Sequence, residues 1–252
     1  MSARLESVTV DVTARSRERV RVLDDVTIDL PTGSMTALVG ESGCGKSMVA
    51  AALCGLLPPA SSVAGRLSLG DDAFLDDEIS GRDPRWRALR GRRVGLVPQS
   101  AATSFTPVRT LGPQLDEVIA GLGGARDAVE LCHEAHLDAD ALELYPHELS
   151  GGMAQRAAIA AALAGDPDVL LADEPTSALD PDLAAAIWAL LADTARRGAA
   201  VLVITHDMDA LRTGGCDSVA VMRAGRIVEQ RAAADLASSD DEYVAAFFEP
   251  VA

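Results

Sequence analysis

Between the apolar, β-prone stretch Ser34–Val39 and a run of small helix-forming residues stands Gly40-Glu41-Ser42-Gly43-Cys44-Gly45-Lys46-Ser47. Few octapeptides constrain a fold as tightly. Its glycines allow backbone turns that a Cβ would block, so successive N–H groups can curl around an anion. The spacing fits G-x-x-x-x-G-K-[ST], the loop that grips β- and γ-phosphates when a strand precedes it and a helix follows. Lys46 adds a point charge to those phosphates, and the Ser47 hydroxyl can ligate Mg²⁺. A helix is predicted from about Gly45 to Gly55, with Met48 in its first turn, and its N-terminal dipole favours the same anion. A glycine-rich turn that merely capped a helix would not need strand, Lys-Ser and helix in register.

Further along, Asp168-Val169-Leu170-Leu171-Ala172-Asp173-Glu174 is an apolar run ending in two carboxylates. Such a run suits a strand buried in a parallel sheet, whose carboxyl end opens onto a ligand crevice. Asp173 is then placed to hold Mg²⁺, commonly through water. Glu174 points elsewhere and can polarise an attacking water as general base. The plainer alternative is that Asp-Glu-Pro caps a turn and helix near Pro181, but that role requires no phosphate loop upstream.

Along nearly its whole length, from about Leu5 to Arg231, the chain resembles the ATP-binding subunits of ABC transporters. Beyond the two segments above, Leu149-Ser150-Gly151-Gly152-Met153 is similar to the signature and Gln99, after the strand Val94–Pro98, to the Q-loop. Ser177-Ala178-Leu179-Asp180 resembles the D-loop, and Thr205-His206-Asp207, after the strand Ala200–Ile204, the switch-histidine segment. Val97-Pro98-Gln99-Ser100, Thr103–Val108, Leu111-Gly112-Pro113-Gln114 and Tyr145–Arg156 are similar to the oligopeptide, dipeptide and nickel importer branch. Arg90-Gly91-Arg92-Arg93 fits the same branch.

The resemblance implies an α/β fold: a phosphate-loop ATPase core with a mostly parallel sheet, an N-terminal antiparallel β subdomain and an inserted α-helical subdomain. It implies one nucleotide-binding domain over 1–252, with the helical part at about 100–165. Glu174, His206, Gln99 and Lys46 become the catalytic set. Gly40, Glu41, Ser42, Gly43, Cys44, Gly45, Lys46, Ser47, Met48, Gln99 and Asp173 become the ATP contacts, and Ser47, Gln99 and Asp173 the Mg²⁺ ligands. Ser150, Gly151 and Gly152 would point away from their own phosphate loop and complete the site of an opposing subunit. Implied partners are two transmembrane permease subunits, a second ATP-binding subunit (a heterodimer is favoured over a homodimer) and, indirectly, an extracytoplasmic solute-binding protein.

The chain's 22 basic and 38 acidic residues give a formal charge of −16, which opposes binding to nucleic-acid phosphates. No run of about 18 apolar residues is present, and no secretory leader precedes the first strand. The expected place is therefore the cytoplasmic face of the cell membrane, with membrane passage left to other subunits. Cys44, Cys54, Cys132 and Cys216 form no C-x-x-C pair and are expected reduced. Cys44 reads as a small filler, although a thiol at a helix N-terminus is a candidate for oxidation. Cys132-His133 with His136 offers only a partial metal set and reads as ordinary helix surface.

Residues 5–12 and 20–30 read as strands around a polar turn Arg15–Arg19. Pro58–Gly70 reads as a Pro/Ser/Gly-rich connection, Asp71–Glu78 as a solvated acidic loop, and Val219–Glu229 as a hairpin turning at Ala224-Gly225. Tyr243, Phe247 and Phe248 stand at helical spacing and are expected to dock on the domain. The chain's end resembles the shorter nickel-type subunits, which lack a C-terminal extension. Three departures from the family pattern stand out: no aromatic near Val12 to stack adenine, Thr106 where Asn is usual, and Phe105 where Leu is usual. The leading reading is an ATPase subunit that energises import of peptides, or of nickel or a metal chelate. The alternatives are a soluble ABC ATPase of DNA repair or translation, and a regulatory half-site that binds ATP without hydrolysing it.

Overall fold

The protein's structure, a computed structural model, describes residues 1–13, 18–208, 211 and 215–248, and the side chains at 102, 236–238 and 246–248 lie outside that description. Most of the Arg15–Arg19 turn and the side chains of Phe247 and Phe248 therefore lie outside it too. The chain opens with β1 (Ala3–Thr13), β2 (Arg19–Leu30), β3 (Met35–Gly40), α1 (Lys46–Leu53), β4 (Ser61–Leu69) and β5 (Asp72–Leu75). There follow α2 (Trp86–Leu89), β6 (Val94–Val97), α3 (Leu111–Leu122), α4 (Ala128–Glu134), α5 (Gly151–Leu163), β7 (Val169–Asp173) and α6 (Pro181–Arg196). β8 (Ala200–Ile204), β9 (Ser218–Arg223), β10 (Arg226–Ala232) and α7 (Glu242–Phe248) complete it.

Two sheets form. One is antiparallel in the order β2-β1-β4-β5, and the other runs β10-β9-β3-β8-β7-β6. In the second, every pair is parallel except the β9–β10 hairpin, which turns at Ala224-Gly225 with positive φ at both residues. That is the backbone a two-residue hairpin turn requires.

Strands β3, β7 and β8 are buried along their whole length, as continuous apolar runs in a parallel sheet should be. Side chains alternate across such a sheet. Leu38, Leu171, Leu202, Ile204 and Met222 pack with α1 and the antiparallel sheet. Val39, Leu170, Ala172, Val201 and Val203 pack on the other face, with α5 and α6. Between β6 and β7 the helices α3, α4 and α5 enclose a small core of their own, including Leu111, Leu115, Cys132 and Ala157.

Three expectations are corrected. Pro58–Gly70 is not a connection and Asp71–Glu78 is not a loop, since they contain β4 and β5, although Asp71, Asp76, Asp77 and Glu78 are exposed as expected. Ser, Gly and Asp conceal the strand pattern, yet Val63, Leu67, Leu69 and Phe74 are buried at alternating positions. Cys132 is no surface residue either. It is fully buried, and that burial pushes its thiol up to about 11.

The far end of α1 is pinned by Trp86. Its indole N–H donates to the Glu78 carbonyl at 2.8 Å and its ring stacks on Phe74 with centroids 4.6 Å apart. A Cβ at Gly55, where φ is +63°, would stand 2.4 Å from that ring. Trp86 thus ties the phosphate-loop helix to the antiparallel sheet. Trp86→Ala is expected to destabilise the chain by about 3–5 kcal/mol in urea unfolding. A loss below about 1 kcal/mol would contradict the pinning role.

Candidate nucleotide site

The phosphate loop leaves the buried strand β3 and enters α1 at Gly45, whose φ of +112° is a conformation that side-chain-bearing residues rarely adopt. Close approach is as decisive as dihedral angle. A Cβ at Gly40 would stand 2.2 Å from the Met222 carbonyl oxygen, and one at Gly45 would lie 2.9 Å from Met222 Cε. Gly225 N–H donates to the Cys44 carbonyl at 2.9 Å, so the β9–β10 turn braces the loop from behind. Lys46 Nζ lies across the loop and donates to the carbonyls of Gly40 (2.8 Å) and Glu41 (2.9 Å). Cys44 is 7 % exposed and turned inward, which matches the filler reading.

The carboxyl end of β7 brings the acidic pair to this loop. Asp173 is buried, with Ser47 and Lys46 near enough to act on its charge. Burial raises its pKa above the ordinary carboxylate value; the Ser47 hydroxyl lowers it, the Glu174 charge raises it and Lys46 lowers it. A buried carboxylate and a hydroxyl are hard oxygen donors side by side, the chemistry that suits Mg²⁺.

Glu174 breaks from the strand with φ of +52°, a left-handed conformation rare for such a residue and a mark of functional sites. Its N–H donates to the Ile204 carbonyl at 2.9 Å, which fixes the break. The side chain is 12 % exposed and its Oε1 stands 2.9 Å from His206 Nδ1. With the carboxylate accepting, the proton sits on Nδ1 and the rest of the largely exposed ring faces solvent. Helix α6 is capped by Asp180, which accepts from Leu183 N–H at 3.0 Å. Asp173 and Glu174 are therefore free of the capping role.

Among the described residues, the remaining predicted side chains make no hydrogen bond to Asp173, Glu174 or His206. Gln99 is exposed just beyond β6. Ser150 caps α5, its oxygen accepting from Met153 N–H at 3.2 Å, which leaves the hydroxyl proton to donate. Ser150 and Gly151 are exposed, and Gly152 abuts the D-loop, where a Cβ would stand 3.1 Å from the Ala178 carbonyl. Met48, in the first turn of α1, is half-buried against the core. Among the described residues no cluster of three His, Cys, Asp or Glu could hold a metal, which includes Cys132, His133 and His136.

A family model described as ABC transporter matches residues 23–177. The chain belongs to the ABC transporter family. It is 42% identical over 228 residues to a probable peptide ABC transporter ATP-binding protein of Sinorhizobium fredii, covering 86% of this chain and 66% of that protein. A probable D,D-dipeptide transport ATP-binding protein of Escherichia coli is 39% identical over 228 residues, with 86% and 68% covered. A dipeptide transport ATP-binding protein of Bacillus subtilis is 35% identical over 220 residues, with 83% and 64% covered. The chain thus spans about two thirds of the length of these relatives. A dimeric ATP-binding cassette in a post-hydrolysis state, bound to ADP and Pi, superposes with a TM-score of 0.78 at 27% identity, over 92% of this chain and 98% of that one.

Sequence reasoning about this ABC family member passed over Met222 and read Gly225 only as part of a hairpin turn. Neither carries a reactive group, and their role lies in backbone atoms that only the fold brings to the loop.

A carboxyl whose folded pKa is raised holds its proton more tightly folded than unfolded. Its charged form therefore costs stability above that pKa, and the chain gains stability as pH falls through it. Asp173→Asn is expected to raise the unfolding midpoint of the nucleotide-free chain at neutral pH, and to shrink its gain on mild acidification. A lowered midpoint at neutral pH in thermal melts would contradict the assigned burial cost.

Proposed function

We propose that this chain is the ATP-hydrolysing subunit of an importer, with peptides the favoured cargo class and nickel or a metal chelate the second. The observation that carries the reading is one continuous array. Lys46 and Ser47 in the phosphate loop meet buried Asp173, and Glu174 beside it is hydrogen-bonded to His206. A structure that only binds nucleotide does not need the last pair. The peptide class rests on the relatives, whose names describe peptide and dipeptide transport.

In this reading Lys46 leaves the Gly40 and Glu41 carbonyls for the β- and γ-phosphates, and the loop N–H groups take the phosphate oxygens. Ser47 and Asp173, with Gln99, would hold Mg²⁺, which supplies charge neutralisation between those phosphates when bound. Glu174 accepts a proton from the attacking water. His206 fixes the Glu174 carboxylate and lies beside the position of the γ-phosphate. Ser150, Gly151 and Gly152 serve the site of an opposing ATP-binding subunit, a heterodimer partner by preference. ATP favours the closed pair over the open one, and loss of the γ-phosphate releases it.

The permease contact is proposed at the cleft of about 870 Å³ between β6 and the helical subdomain, lined by Leu96, Phe105, Val118 and Leu122. Buried Gln114 shapes one wall: its side chain accepts from Thr106 N–H at 2.7 Å and donates to the Thr106, Arg109 and Thr110 carbonyls. Beside it Val108 is 80 % exposed, an apolar residue suited to a partner's helix. No helix among the described residues is long and apolar enough to cross a membrane, so the proposed place at the cytoplasmic face depends on that partner.

Glu174→Gln is expected to keep ATP affinity and slow hydrolysis by about 10²- to 10⁴-fold, trapping an ATP-bound dimer. Lys46→Ala should abolish tight ATP binding. Normal turnover by the Glu174→Gln chain in a phosphate-release assay would refute the general-base role.

A further inference from the structure

The phosphate loop is held by its carbonyls. Lys46 Nζ takes those of Gly40 and Glu41, and the Gly225 N–H takes that of Cys44 at 2.9 Å. Across a trans peptide the C=O and the N–H point in opposite directions. Turning the Cys44 carbonyl outward to Gly225 therefore turns the Gly45 N–H inward, toward the place an anion takes in the loop. When Lys46 leaves for phosphate its two holds are lost, and the Gly225 hold remains.

Gly225 is itself held from the antiparallel sheet. Its carbonyl accepts from the Asp24 N–H of β2 at 2.9 Å, so Asp24, Gly225 and Cys44 form one chain of backbone hydrogen bonds. The three segments meet at the Val22 carbonyl, since a Cβ at Gly225 would stand 2.8 Å from that oxygen and one at Gly45 3.0 Å. The Asp24 side chain closes the same junction. One carboxylate oxygen pairs with Arg226, the residue that follows the turn, and the other lies 3.2 Å from Arg21. Arg21 in turn reaches Asp11 of β1 at 3.0 Å. Opposite charges thus alternate over Asp11, Arg21, Asp24 and Arg226, across β1, β2 and β10.

We propose that Asp24 is a positioning residue of the phosphate loop. Paired with Arg226, it holds the Ala224-Gly225 turn against β2, and the turn fixes the Cys44 carbonyl so that the Gly45 N–H is aimed before nucleotide arrives. The proposal rests on the reading of this loop as a nucleotide site. The clamp acts on the loop and not on the γ-phosphate or on Glu174, so it serves MgATP and MgADP alike.

Asp24→Ala and Arg226→Ala, singly and together, are the test, because each removes a charge and leaves every backbone donor and acceptor in place. Three readouts are taken on the full chain: dissociation constants for MgATP and MgADP by titration calorimetry, steady-state hydrolysis, and amide exchange at Gly225 without nucleotide, with the amides of β8 as reference. Asp24→Ala is expected to weaken both nucleotides by the same factor, roughly threefold for partly exposed pairs. The double variant should be no weaker than Asp24→Ala alone, because the two residues act through each other. KM should rise by the same factor while kcat stays within about twofold, and exchange should quicken at Gly225 but not in β8. Unchanged Gly225 exchange, or equal quickening in β8, would overturn the clamp. Additive losses in the double variant would overturn the pairing, and faster Gly225 exchange with unchanged affinities would overturn the positioning role. A fall in kcat with KM unchanged would also overturn it, because the effect would then lie at the chemical step. A wild-type chain that bound neither nucleotide would instead refute the reading of the site, and Gly225 exchange would still decide whether the clamp exists.

Discussion

The near-contact between the phosphate loop and the end of β9 is the constraint on which the rest of the site depends. The Met222 carbonyl leaves no room for a side chain at Gly40, and the Met222 methyl leaves little at Gly45. The loop can therefore sit only where a glycine-built backbone can lie flat against a neighbouring strand. Gly225 then fixes Cys44 from behind, and the Tyr243 hydroxyl meets the Met222 carbonyl at 3.4 Å. An anion-binding loop needs its N–H groups aimed before the anion arrives, and this packing supplies that aim without any ligand.

Charge is arranged on the same scaffold. Parallel pairing of β3 with β8 and of β8 with β7 brings three strand ends to one edge of the sheet, so the loop, the acidic pair and His206 converge there. Burial makes Asp173 costly as a carboxylate, and Ser47 and Lys46 offset part of that cost. Glu174 is turned out of the strand by one left-handed residue and meets His206. A cation beside Asp173 would relieve the burial cost that the folded chain already holds there.

Much of this was legible in the sequence where chemistry demands a particular backbone. Gly40–Ser47 announced strand, loop and helix, and Asp168–Glu174 announced a buried strand with an acidic end. Ala224-Gly225 announced the hairpin that braces the loop. Legibility failed where composition hid the period. Ser, Gly and Asp in β4 and β5 looked like linker, although their alternate positions carry Val63, Leu67, Leu69 and Phe74 to the core. It failed again where a contact joins distant segments through backbone atoms. Nothing in a Tyr of the last helix points to Met222, and nothing in Met222 predicts that its carbonyl will limit a glycine. The left-handed turn at Glu174 was equally hidden, because only the register of β7 against β8 requires it.

The central claim is that this ATP-driven array works on a membrane partner. Its most direct test is co-purification of the tagged chain from gently solubilised native membranes in MgATP, with every associated protein identified. The account expects two permease-like subunits and a second ATP-binding subunit, with the ligand of the associated solute-binding protein naming the cargo. Recovery of soluble repair or translation factors alone would contradict it.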